Sequence, residues 1–485
     1  MALTSLERTS DQPLYEQVAH RIAQMIHAQA LRPGDRVPSV RRLHRQMSVS
    51  ISTVLEAYRL LEAWRLIEAR PQSGYFVRPY APVTPPEPGP SAPSGQACHV
   101  DVRSLALRLT QAAGRDDVIK LGAAVPSPKL LPTQRLNRLL SQVVRREPDL
   151  AHTYDAPPGC KKLREQVARR MLDAGCTISP HDILTTTGAT EAMCLALQAT
   201  TTRGDSVAIE SPCYFGILET LEALGVRALE LPTHPREGID LRALEEAMAN
   251  KRVKAVALSA NFSNPLGGLM PDSHKKRIAQ LAQQYDIPVI EDDCYGDLPF
   301  DTQRPKAIKA FDRSGHVIYC ATVSKTLSPG LRVGWCAPGR WMERVEQLKL
   351  ATSHGSAVAP QLAVAAFLAS GGYDRHLRKL RRTYLDHVRL VSAAVARYFP
   401  QGTRMTRPAG GHLLWIELPE MDSIELHEAA IARNISIAPG PLFSPTGRYR
   451  NCLRLNCAIP WSDEVERAIA TLGELAKQNT RSTEN

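Results

Sequence analysis

A lysine amine placed beside a carbonyl is a nucleophile and a Schiff-base former. Lys325 stands where such chemistry is at home: it follows the strand-like run ending at Ala321-Thr322-Val323-Ser324 and precedes Thr326-Leu327-Ser328-Pro329-Gly330-Leu331-Arg332-Val333-Gly334-Trp335. Alone, a Ser-Lys pair is a weak signal. Upstream, Asp292 closes the apolar run Pro288-Val289-Ile290-Glu291-Asp292, and Tyr295 follows three residues later. An acid at a strand end is equally an ordinary loop cap. Asn264 lies in Ser263-Asn264-Pro265-Leu266-Gly267, which by itself is only a turn. Thr187-Gly188-Ala189-Thr190-Glu191-Ala192 joins a strand to a helix, and free N–H groups at a helix start attract anions. Glycine-containing turns of this kind are common. Arg454, in Leu453-Arg454-Leu455-Asn456, has the planar fork that grips a carboxylate, or it pairs with an acid in the core.

These residues are more telling as a set than singly. In chain order they supply an anion site, an aromatic ring (Tyr214), an amide, an acid, a phenol, a lysine and two arginines, Arg332 and Arg454. Pyridoxal phosphate asks for that combination: an amine for its aldehyde, an acid near its pyridine nitrogen, donors for its phenolic oxygen and phosphate, and a ring to stack on. A second cluster lies near the N-terminus. Arg36, Arg41, Arg42 and Arg45 fall within ten residues, and residues 1–80 hold eleven arginines and no lysine against seven acids. The whole chain carries a formal net charge of +11. A basic balance favours polyanionic partners without proving one, and a charge cluster by itself can be a solvated face.

Two sets of elements must hold these clusters. Residues 12–29 place Leu14, Val18, Ile22, Met25 and Ile26 at helical spacing, and Pro33-Gly34 breaks the chain. Ser39 can cap a short helix carrying the arginines; Val49-Ser50 makes a turn, and Ser50 or Ser52 starts a longer helix. Residues 66–69 and 74–77 read as two strands around a polar tip at 70–73. From Pro79 to Gln96 the chain is rich in Pro, Gly, Ala and Ser and has no amphipathic period, so an extended, semi-rigid tether is expected. Beyond it, strand candidates at 183–186, 206–210, 227–231, 254–258, 287–292, 316–320 and 333–337 alternate with amphipathic helices, as in an α/β body around a largely parallel sheet. A helix at 375–399 and strands at 412–418 and 452–458 suggest a smaller C-terminal subdomain. The expected domains are therefore 1–78, a linker at 79–102, and a body at 103–478.

The bulk numbers limit the alternatives. With 485 residues, 43% hydrophobic and 22% charged, the chain has ample core material for more than one soluble domain. No run of about 18 apolar residues is present. The first residues lack a charged lead followed by an apolar stretch, so no secretory signal is expected and the cytoplasm is the expected location. The ten cysteines form no CxxC and, with the histidines, no metal-ligand spacing, which suggests free thiols and no metal site.

The N-terminal segment resembles the winged helix-turn-helix domain of the GntR family. The resemblance is carried by Pro33-Gly34-Asp35-Arg36 with Pro38-Ser39-Val40-Arg41, by Val49-Ser50 with Thr53-Val54, by Ala57-Tyr58 with Leu61-Glu62, and by Ser73-Gly74-Tyr75-Phe76-Val77. It implies that Arg36, Ser39 and Arg41 contact double-stranded DNA and that Ser50, Ser52 and Thr53 sit at the tip of the reading helix. Two residues depart from the pattern: Ile51 stands where the family commonly has Arg, and His44 where it has a small residue. Ile51 cannot donate to a guanine edge but can touch a thymine methyl.

Residues 103–475 resemble a fold-type I aminotransferase. That resemblance implies pyridoxal 5'-phosphate as cofactor and Lys325 as the residue of its internal aldimine. It implies Asp292 at the pyridine nitrogen, Tyr295 and Asn264 at the phenolic oxygen, and Tyr214 stacked on the ring. Gly188, Ala189, Thr190, Thr322, Ser324 and Arg332 would hold the cofactor's phosphate end, Tyr154 would reach the phosphate of a neighbouring subunit, and Arg454 would take a substrate or effector carboxylate. The combination of head and body resembles the MocR subfamily of GntR regulators, which implies a head-to-tail homodimer and a regulator sensing an amino acid, amine or vitamer. A working aminotransferase with an appended DNA-binding domain, and a DNA-binding protein whose body never holds the cofactor, remain alternatives.

Overall fold

The computed structural model describes residues 13–27, 30–31, 34–64, 66–70, 73–77, 85–115, 117–301 and 303–482. Pro33, the hairpin tip at 71–72 and linker residues 79–84, all read above, lie outside the described residues. The chain divides into two compact units between Val83 and Thr84.

The first unit holds three helices, α1 (Leu14–His27), α2 (Val40–Met47) and α3 (Ile51–Ala63), and an antiparallel hairpin of β1 (Ile67–Arg70) and β2 (Gly74–Val77). Val18, Ile22, Leu43, Val54, Ala57, Tyr58, Leu61, Ile67 and Val77 make its buried core. Of the serines expected as caps, Ser39 and Ser50 cap, while Ser52, the alternative to Ser50, lies inside α3. Ser39 Oγ accepts the Arg42 N–H at 3.3 Å, and Ser50 Oγ accepts the Thr53 N–H at 3.0 Å, each satisfying a free donor at a helix start. The turn between α2 and α3 passes through Ser48 at φ 52°. His44 has a structural use there: its Nδ1 donates to the Val49 carbonyl at 2.5 Å and ties α2 to the turn.

In the second unit an eight-stranded sheet runs in the order Ala97–Cys98, Arg227–Leu231, Ser206–Glu210, Ala255–Leu258, Val289–Asp292, Val317–Thr322, Gly334–Ala337 and Leu184–Thr186. The five strands from Arg227–Leu231 to Val317–Thr322 pair in parallel; the outer pairings are antiparallel. Strands such as Ala255–Leu258 are buried on both faces, which explains their unbroken apolar text; in Val289–Asp292 the apolar text stops at Ile290 and the buried end is acidic. The smaller subdomain is a four-stranded antiparallel sheet of Arg404–Met405, Leu413–Glu417, Cys452–Asn456 and Ala438–Pro439. The long helices Gly372–Tyr398 and Asp463–Ser482 pack with it. All ten cysteines are free thiols. No helix among the described residues is long and apolar enough to cross a membrane.

The Pro-rich run differs from the expected tether over its second part. Residues 85–98 are bound to the body. The Pro86 carbonyl accepts the Met405 N–H at 3.0 Å, and Glu87 accepts both the Arg407 N–H at 3.0 Å and the Arg236 guanidinium at 2.6 Å. Ser91 exchanges backbone and hydroxyl bonds with Thr233, and Arg448 donates to the Ala92 carbonyl at 2.7 Å. Ala97–Cys98, β3, then joins the edge of the large sheet. An extended proline-rich backbone leaves its carbonyls unpaired, so donors far along the chain can take them. Glu87→Ala should release the near end of this run, with amide exchange of segment 85–96 about tenfold faster by mass spectrometry, the loss of one to two modest hydrogen bonds. Exchange at the wild-type rate would show that Glu87 does not hold it.

Candidate active site and cofactor pocket

Ligands of open α/β sheets gather at the carboxyl ends of the parallel strands. Asp292 is the last residue of Val289–Asp292, Thr322 the last of Val317–Thr322, and Thr187-Gly188 turns Leu184–Thr186 into the helix Gly188–Thr200. These ends meet at a cavity of about 170 Å³ walled by Ala189, Thr190, Tyr214, Asn264, Asp292, Tyr295, Thr322, Ser324, Lys325 and Arg332, among others. Ten of the expected cofactor residues are thus brought together.

The phosphate end is built from close backbone approach. Gly188 has φ +80°, and a Cβ there would lie 2.5 Å from a guanidinium nitrogen of Arg332, so only glycine lets that arginine lie against the turn. Arg332 itself takes φ 52°, and its Nη2 donates to the Thr187 carbonyl at 3.1 Å. Thr322 Oγ1 donates to the Val333 carbonyl at 2.7 Å and lies 2.9 Å from Ser324 Oγ.

The ring end carries the charges. Burial pushes the Asp292 carboxyl up from its usual range, although its Oδ1 accepts the Cys294 N–H at 3.0 Å. Burial pulls the Lys325 amine below its usual value, and its Nζ donates to the Ala124 carbonyl at 2.8 Å. Tyr295 is buried with its hydroxyl lacking any protein partner. Behind it lies His412, 5.4 Å between ring centroids, with burial pulling its pKa down to about 3 so that it stays neutral.

Arg454, 1% exposed, rises from an inner strand of the small sheet. Its Nη1 donates to Asn264 Oδ1 at 2.8 Å and its Nη2 to the Gly122 carbonyl at 2.5 Å, while Nε has no partner. Burial pulls its pKa down to about 10, opposed by the Tyr295 and Tyr214 phenols. The salt-bridge alternative raised for this arginine does not hold: its partners are neutral oxygens.

Of the two expected cofactor residues that do not line the cavity, Gly188 lies against Arg332, which does, and Tyr154 lies apart. It is 85% exposed, lies edge-on to His354, and does not line its own chain's cavity. In the head, Arg36, Ser39, Arg41, Ser50 and Ser52 are exposed and Thr53 half-buried. Arg36 bridges to Phe76 of β2, and Ser50 Oγ lies 2.7 Å from both Ser52 Oγ and Thr53 Oγ1.

Several site residues carried no local signal. The Gly122 and Ala124 carbonyls come from an irregular segment about 200 residues before Lys325. Cys294, Met193, Ile217 and Thr220 wall the pocket simply by their places on positioned elements. Glu210, at the end of Ser206–Glu210, is buried with one oxygen unpaired.

A lysine amine, an acid at a strand end, an unpaired phenol and a glycine-arginine cradle in one cavity fit pyridoxal phosphate, and define the pocket of a fold-type I aminotransferase. Residues 116–472 match the model of aminotransferase class I and II, and residues 14–77 that of the bacterial regulatory proteins of the gntR family. The chain belongs to the class I and II aminotransferases in its body and carries a GntR domain at its N-terminus, the combination of the MocR subfamily. It is 40% identical over 461 residues to the uncharacterized HTH-type transcriptional regulator YjiR of Escherichia coli (strain K12), covering 95% of this chain and 98% of that one. It is 31% identical over 376 residues to the 2-aminoadipate transaminase of Thermus thermophilus, covering 76% and 92%. Among solved structures it is similar to the multiple substrate aminotransferase of Thermococcus profundus, with TM-score 0.72 and 26% identity over 78% of this chain and 96% of that one. It is also similar to the α-aminoadipate aminotransferase LysN of Thermus thermophilus, complexed with N-(5'-phosphopyridoxyl)-L-leucine, with TM-score 0.70 and 28% identity over 77% and 98%. The cofactor of the family, and of this pocket, is pyridoxal phosphate.

Glu210 gives this region a pH dependence. Burial, opposed by the Ser259 N–H and reinforced by Asp292, holds its carboxyl up at about 8. A carboxyl whose folded pKa exceeds its unfolded value stabilises fully below the unfolded pKa and loses that contribution as pH rises through about 8. Glu210→Gln stays neutral throughout. Thermal melts should therefore show the variant close to wild type near pH 5 and more stable than wild type at pH 9. An equal gap at both pH values would contradict the assignment.

Proposed function

We infer that this protein is a transcription regulator whose winged helix binds duplex DNA and whose body uses pyridoxal phosphate to sense an amino acid, amine or vitamer. The observation that carries the reading is the joining, in one chain, of a serine-capped, solvent-facing α3 to a pocket that gathers ten of the expected cofactor residues beside a carboxylate-hungry arginine. The relatives named as HTH-type regulators support it.

Bound in the pocket, pyridoxal phosphate supplies a carbon that a primary amine can attack and an electron-withdrawing ring. Each residue has a part to play around it. Lys325, its amine drawn toward neutrality by burial, would hold the cofactor as the nucleophilic amine. The Asp292 carboxylate would hold a proton at the pyridine nitrogen, and Tyr295 and Asn264 would serve the phenolic oxygen. The amides of Gly188, Ala189 and Thr190, with Thr322, Ser324 and Arg332, would take the phosphate. Arg454 forms a fork on an effector carboxylate in place of the neutral oxygens that now hold it. Arg36, Ser39 and Arg41 meet phosphates, and Ser50, Ser52 and Thr53 present the tip of α3 to the groove. The exposed Tyr154 supports a homodimer in which it completes the partner's pocket, head to tail by the family resemblance. The protein acts in the cytoplasm on this reading. An effector changes DNA binding only if it binds one arrangement more tightly than another.

A second reading is that of a working aminotransferase. It is favoured by the presence of Lys325, Asp292, Tyr295 and Arg454 around connected cavities and by the transaminase relatives.

Spectral titration of the purified protein with amino acids and vitamers, run beside a DNA-shift assay, separates the readings. Amines should reshape DNA binding without turnover against a keto acid; steady turnover would favour the enzyme. Lys325→Ala should lose the visible absorbance of covalently held cofactor and keep DNA affinity. A variant retaining that band would refute the role of Lys325.

A further inference from the structure

Beside the cofactor pocket lies a second cavity of about 190 Å³ that shares Val125, Tyr214 and Lys325 with it and contains Arg454. Lys325 and Arg454 both wall this cavity, so an amine at the first with its carboxylate on the second has this space beside its side chain. The wall there contains two cations, Lys325 and Arg454, and no Asp or Glu. Arg454 is committed to the α-carboxylate, and burial draws the Lys325 amine toward its neutral form, so neither is left to pair a second carboxylate. The rest is mainly hydrocarbon: Ala106 of α4 (Arg103–Gly114), Phe215, Ile437, Ala438 and Leu442. Its two aliphatic hydroxyls are turned to backbone. Thr110 Oγ1 donates to the Ala106 carbonyl at 2.8 Å, and Ser436 Oγ accepts the Gly122 N–H at 3.4 Å.

We propose that this annex selects the effector by its side chain, and that the effector is an α-amino acid with an uncharged, apolar side chain of branched-aliphatic or aromatic size. An apolar cavity of about 150 Å³ can hold a benzene ring, so the space is sufficient. A second carboxylate or ammonium entering it would leave water without a partner, and unpaired buried charge is strongly disfavoured. The inference rests on the amine-sensing reading above and names the ligand class that the reading leaves open.

The test uses the full-length protein saturated with pyridoxal phosphate and follows its visible spectrum during titration with L-leucine, L-phenylalanine, L-glutamate, L-lysine and methylamine. Leucine and phenylalanine should half-saturate the change at concentrations at least about tenfold below glutamate and lysine. Glutamate or lysine acting as well as leucine would overturn the apolar annex while leaving amine sensing intact. Silence toward all five would sink the sensing reading, and the annex assignment with it. A second arm uses Thr110→Arg, at an exposed position on α4, which sets a cation beside the annex. It should lower the glutamate concentration required. An unchanged glutamate response, with leucine binding retained, would show that the side chain does not enter this space.

Discussion

Asp292, Lys325 and Arg454 face connected cavities, and the hydrogen-bond partners they have among the described residues are uncharged. This is the constraint on which the body depends. A buried charge is tolerated when it is paired, and an unpaired one shifts toward its neutral form. All three respond in that direction: the acid is pushed up and both bases are pulled down, each chiefly by loss of water. For the two bases, neutral oxygens stand in as partners. The Ala124 carbonyl takes the lysine, and the Gly122 carbonyl and Asn264 take the arginine. A site that keeps three ionisable groups in such a state is organised around charges that arrive with its ligands.

The fold delivers this arrangement from widely separated text. Parallel strands bring Asp292 and Thr322 to one edge, and the antiparallel pairing of Gly334–Ala337 with both Val317–Thr322 and Leu184–Thr186 sets Arg332 against Gly188. The small sheet contributes Arg454, bonded across to Asn264 and to Gly122. The docked run at 85–98 reaches both sheets, through Met405 of the small one and through Ala97–Cys98 at the edge of the large one. The segment leading to the DNA-binding unit is therefore anchored where the two subdomains meet.

Much of this was legible in the sequence, for a local reason. The strand candidates at 206–210 and 227–231 match their elements, and the others differ by one or two residues at the ends, because buried parallel strands write themselves as short apolar runs. Ser39 and Ser50 were readable as caps because capping is decided within four residues. What could not be read depends on distant partners. A proline-rich run looks like a free tether until donors at 236, 405, 407 and 448 are brought to it. The carbonyls of residues 122 and 124 carry no side-chain signature at all. Ile51 and Leu55 remain exposed on α3, so its outward face is partly apolar, as the departure at Ile51 suggested.

The central claim is that the pocket's buried acid awaits a positive ring nitrogen. Thermal unfolding of the cofactor-free protein and of Asp292→Asn, each with and without saturating pyridoxal phosphate, tests it most directly, since a ligand that binds only the folded state raises its melting temperature. The account predicts a clear rise for wild type and a much smaller one for the asparagine variant, at equal lysine occupancy by absorbance. Equal rises in both would contradict it.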